Sequence, residues 1–84
     1  MPRFFTHILN DSGMAFDADG AEFADLPAAT CKAKRTMGEA IADDLMSGKT
    51  DIRLMVVIED GQGARVANLC SKTRFVSSLT PFTV

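Results

Sequence analysis

At Asp25 the spacing of apolar residues changes, and that change limits the folds open to the chain. Before it, "RFFTHIL" (residues 3–9) is rich in aromatic and branched residues and runs into the turn formers "NDSG", the pattern of a strand entering a tight turn. After it, Leu26, Ala29, Ala33, Met37, Ala40 and Ile41 fall in one stripe, with Lys32, Arg35, Glu39 and Asp43 opposite. The spacing predicts an amphipathic helix over 26–47, about 33 Å long at 1.5 Å per residue. Asp25 suits the N-cap, because its carboxylate can accept from free amides of the first turn. Pro27 is tolerated where those amides lack helical partners, and Gly48 supplies the stop. Two features weaken this helix: Gly38 near its middle, and charges that oppose the macrodipole. Lys32, Lys34 and Arg35 lie in its first half, Glu39, Asp43 and Asp44 in its second. Such a bipolar helix could also pair antiparallel with its own copy.

Strands flank the helix on both sides. "GMAF" is the short return strand of a first hairpin. "DIRLMVVIED", the turn "GQG" and "ARVANLC" make a second. Ile52, Leu54, Val56 and Ile58 form the stronger apolar face, which should meet the helix, while Met55 and Val57 lie on the opposite face between Arg53 and Glu59. The expected class is α+β: a β-hairpin, one long amphipathic helix and a second β-hairpin, with the helix on one face of a four-stranded, mainly antiparallel sheet. With 84 residues there is room for one domain, 1–71 as core and 72–84 as an apolar C-terminal tail carrying Phe75, Val76, Leu79, Phe82 and Val84. The first strand has Phe5, His7 and Leu9 on one face and Phe4, Thr6 and Ile8 on the other. Neither face is cleanly polar, so the tail or a second subunit is expected over the side the helix leaves bare.

Composition narrows the functions. A net charge of −2, with nine scattered Lys and Arg, disfavours affinity built on phosphate neutralisation. The longest apolar run, "LMVVI", is far short of the roughly 20 residues that span a bilayer. The N-terminus meets Asn10 and Asp11 before a signal region develops, which places the protein in the cytoplasm. Cys31 and Cys70 form no C-x-x-C and are expected to be reduced, half-buried and unpaired.

The stretch "FDADGAEFADLPAA" (residues 16–29) concentrates carboxylates and invites comparison with a calcium loop. With Gly20 at the sixth place of an EF-hand loop, Asp17 and Asp19 fit the third and fifth, but Ala15 and Leu26 fall at the first and twelfth. Both anchors are missing, so no calcium is expected. Asp17, Asp19 and Gly20 suffice for a turn. His7, the single histidine, has no partner for a zinc site at normal spacing and is expected as a hydrogen-bonded strand residue. "EDGQGAR" lacks both phosphate-loop patterns and reads as a hairpin turn. No cofactor, metal or catalytic residue is expected.

The opening Pro2, Arg3, Phe4, Phe5 and His7, followed by Asp17, Gly20, Glu22, Asp25, Leu26, Ala28 and Ala29, resembles a family of short bacterial proteins, common in alphaproteobacteria, known as a domain of unknown function. Its pattern is Pro-Arg-Tyr/Phe-Phe-x-His and then Asp-x-x-Gly-x-Glu-x-x-Asp-Leu-x-Ala-Ala. The resemblance implies a small cytoplasmic one-domain protein and brings no activity or substrate with it. The first expectation is thus a non-catalytic interaction module, a homodimer that uses the sheet face opposite the helix or the C-terminal tail. The residues to watch are Arg3, Phe4, Phe5, His7, Asp17, Gly20, Glu22, Asp25, Met55 and Val57. Behind it stand weak nucleic-acid binding through Arg3, Phe4 and Arg53, and a small enzyme or ligand-binding protein using His7 with Asp17 or Glu22. Glu22 is required by no turn or cap.

Overall fold

The computed structural model describes residues 1–76. Its elements are β1 (Arg3–Asn10), β2 (Gly13–Ala15), β3 (Ala21–Glu22), α1 (Leu26–Met46), β4 (Asp51–Glu59) and β5 (Arg65–Arg74). All pairings are antiparallel, in the order β2-β1-β4-β5, with β3 also on β1. The fold is α+β with the helix on one face. Where a short extended "AEF" follows the acidic turn, β3 pairs Arg3 with Glu22 and Phe4 with Ala21. β5 runs to Arg74, so residues 72–74, assigned above to the tail, are strand. Leu79, Phe82 and Val84 of that tail lie outside the described residues.

The helix forms as its sequence dictates. Asp25 is its N-cap in extended conformation (φ −160°), and its Oδ1 accepts from the Ala28 N–H at 2.9 Å. At the other end the Ser47 N–H donates to the Asp43 carbonyl at 3.0 Å, and Gly48 turns the chain out with φ +99°. Ala29 and Ala33 are buried at the contact, where small side chains let the helix approach closely. They meet Ile52, Leu54, Val56 and Ile58 of β4, joined by Met37 and Phe4. The four β4 residues are thus the floor of the core, as their alternation predicts. No helix among the described residues is long and apolar enough to cross a membrane.

A methyl group at Gly38 would meet no atom within 4 Å, so this glycine serves no close approach. Gly38→Ala should raise stability by about 0.5–1 kcal/mol, seen as a higher urea midpoint, while Asp25→Ala should lower it by about 1 kcal/mol.

Candidate functional site

The family-like residues of the N-terminal third converge on one edge of β1. The carbonyls of Pro2 and Phe4 face β3, whereas that of Arg3 faces the Gly61 turn, so β2 and β3 occupy the same side of β1, away from β4. Between them residues 16–20 leave the edge, and Phe5, Thr6 and His7 have no strand opposite there. Asp17 fills the gap. Its Oδ2 accepts from the Thr6 N–H at 3.1 Å and its Oδ1 from the Gly20 N–H at 2.9 Å. The carboxylate thereby takes the place of a strand carbonyl, satisfying an amide that would otherwise be left unpaired in a part-buried site.

The Asp17 N–H donates in turn to His7 Nδ1 at 3.1 Å, while His7 Nε2 lies 2.9 Å from Glu59 Oε1. Because Nδ1 accepts, the neutral ring carries its proton on Nε2 and donates it to Glu59. His7 is 9% exposed, with Phe16 edge-on at 5.4 Å between ring centroids. Both ring nitrogens are engaged, one by a backbone amide and one by a carboxylate. The carboxylate partner is Glu59 of β4, not Asp17 or Glu22 as the enzyme reading required. Asp17 meets His7 through its backbone, and Glu22 pairs with Arg3 at 3.6 Å on a half-exposed rim.

Arg3 also donates from Nη1 to the Asp19 carbonyl at 2.8 Å, which ties the loop to the start of β1. Gly20 sits at φ +67°, and an added Cβ would come within 2.8 Å of the Phe4 carbonyl oxygen and 2.9 Å of the Phe5 ring. Only glycine fits there, because both the backbone sign and the contact exclude a side chain.

Strand register arranges the bare face in rows. Glu22 and Arg3 lie at one end, then Phe5, Glu59 and Arg65, then His7, Val57 and Asn68. Next come Met14, Leu9, Met55 and Cys70, followed by Arg53 with Lys72 and Asp51 with Arg74. Three expectations need correction. Phe4 points to the helix and is buried in the core, so it offers no ring to a nucleic-acid base. Val57 is also buried, and leaves Met55 as the exposed member of the pair. Cys31 and Cys70 are exposed rather than half-buried, and both are free. Met14 and Phe16, not singled out from the sequence, are exposed on or beside this face. Arg53 of the nucleic-acid reading lies 3.7 Å from Asp51.

The pattern of one protein family, described as a domain of unknown function (DUF6894), matches residues 3–70. The chain belongs to the DUF6894 family. No curated protein matches it, and no solved structure does. The matched span of this DUF6894 domain covers β1 to β4 and the first part of β5, and so includes the Asp17 loop, the His7 and Glu59 pair and the bare sheet face.

Gly20→Ala should destabilise the domain by about 1–3 kcal/mol through positive φ. Asp17→Ala should cost about 1–3 kcal/mol by stranding the Thr6 amide. Urea denaturation followed by circular dichroism measures both, and wild-type stability in either variant would contradict the rung geometry.

Proposed function

We propose that this protein is a non-catalytic, cytoplasmic interaction module of bacterial origin that self-associates through the sheet face opposite the helix. The observation that carries this reading is the apolar row Met14, Leu9 and Met55 at the middle of a sheet face that no other element among the described residues covers, with Phe16 74% exposed beside it. Covering such a row removes apolar surface from water at about 25 cal/mol per Å². The described fold is only 16 Å through its thinnest direction, as expected of a sheet with one covered face, and a second sheet stacks at about 10 Å.

A second copy of the chain suits this face. β4 carries Arg53 on one side of Met55 and Val57 and Glu59 on the other, so a copy turned end for end sets each cation towards a carboxylate. The engaged nitrogens of His7 weigh against a catalytic role. The burial of Phe4 and the pairing of Arg3 and Arg53 with carboxylates weigh against nucleic acid.

Light scattering on the eluting protein should give twice the 9.0 kDa of one chain at tens of micromolar. Met55→Glu should return it to the monomer mass with its thermal midpoint preserved. A wild-type mass of one chain at that concentration would sink the dimer.

A further inference from the structure

We infer that the outer edge of β5 is a second contact site, which takes an extended, acidic segment of another protein as an added strand. Among the described residues no strand lies beyond β5, which ends the sheet as a ten-residue run, Arg65–Arg74. An edge of that length presents unpaired backbone donors and acceptors to any extended chain. Its charge selects the occupant. β5 carries Arg65, Lys72 and Arg74 and no Asp or Glu, in a chain whose net charge is −2.

A second copy fits this edge poorly. Antiparallel pairing of β5 with itself about Cys70, with the bulge between Arg65 and Ala67 counted as one place, brings Arg65 opposite Arg74 at both ends, and like charges directly opposite destabilise a strand pair. A strand with carboxylates at those places meets cations instead. The bare face adds a place for its side chains, because a shallow groove of about 220 Å³ borders β5, with Leu9, Met55 and Cys70 along it and Arg53 and Lys72 at its rim. An acidic residue two places from an apolar one matches that pattern. Side chains of an added strand alternate between faces, so every second residue reaches the groove while the main chain pairs with β5. The groove shares Leu9 and Met55 with the proposed self-association face, whereas strand addition is made by the β5 edge itself, so loss of dimer mass and loss of peptide binding are read as distinct outcomes.

The test uses an acetylated decapeptide of repeating Val-Val-Glu-Glu, which sets Val and Glu in turn on each face, a Val-Val-Lys-Lys counterpart, and two Val and Glu peptides N-methylated at every second residue, one in each frame. Binding to the full chain is followed by fluorescence anisotropy, and amide hydrogen exchange is read along the protein. The acidic peptide is expected to bind about tenfold more tightly than the basic one, to weaken as salt is added, and to slow exchange in residues 65–74. Methylation in at least one of the two frames should abolish binding. Lys72→Glu combined with Arg74→Glu should reduce affinity by about tenfold, whereas Met14→Glu, on β2 at the opposite edge of the sheet, should leave it intact. Equal binding of the acidic and basic peptides, or protection that avoids β5, overturns the inference. So does retention of an oligouridylate by the same edge in place of the peptide, or a loss of dimer mass in the Lys72 and Arg74 variant. Absence of any peptide binding would also overturn it, and would leave the basic residues as guards against edge-to-edge aggregation.

Discussion

One carboxylate holds the N-terminal half of the sheet together. β1 cannot be paired along its whole outer edge, because the chain between β2 and β3 swings away for five residues, and a strand amide at Thr6 faces the gap. Asp17 closes it with a side-chain oxygen, closes its own loop at Gly20 with the other, and offers its amide to His7. Three hydrogen bonds from one residue thus connect the loop, the edge strand and, through His7, the Glu59 end of β4. Arg3 on the Asp19 carbonyl and the tight seat of Gly20 against Phe5 work from the same side. Without Asp17 the edge would hold two short strand pairings with an unsatisfied amide between them. Such an arrangement is poorly placed to keep β1 flat against β4.

What could be read from the sequence were the parts fixed by local spacing. The helix, its Asp25 cap, the exit at Gly48 and the β4 face that meets the helix follow from periods of 3.6 and 2 and from the chemistry of caps. Glu59 could not be identified as the partner of His7, because a cross-strand neighbour depends on register between segments far apart in sequence. The same gap explains Phe4. Both faces of β1 looked alike, and only pairing with β4 decides that Phe4 and Ile8 turn to the helix while Phe5, His7 and Leu9 do not. Asp17 was legible as a turn former, but its task as a substitute rung required knowing which strand lay beside it. The signal available was the coincidence of an opening strand and an Asp-rich stretch in one family pattern.

The sheet divides its charges unevenly. On the bare face stand Arg3, Arg53, Arg65, Lys72 and Arg74 against Glu22, Asp51 and Glu59, although acids outnumber bases over the whole chain. The acidic surplus is carried by the turns and the second half of the helix. A molecule with weak net charge can therefore still carry an excess of bases on one sheet face, while the charges of its helix balance.

The loop at residues 16–20 also behaves as a measured length. β2 and β3 are both registered on β1, so the span that separates them is set at two points, and its interior is occupied by Asp17 and Gly20 in contacts that allow no slack. A residue added there must bulge outward or displace the rung. The β4–β5 turn is bounded by a single hairpin, with Asp60 capping the Gln62 and Ala64 amides, and is answerable to one register alone. Length variation within this fold should therefore collect at the far hairpin, and the acidic loop, for all its exposed surface, should keep its residue count as strictly as a strand does.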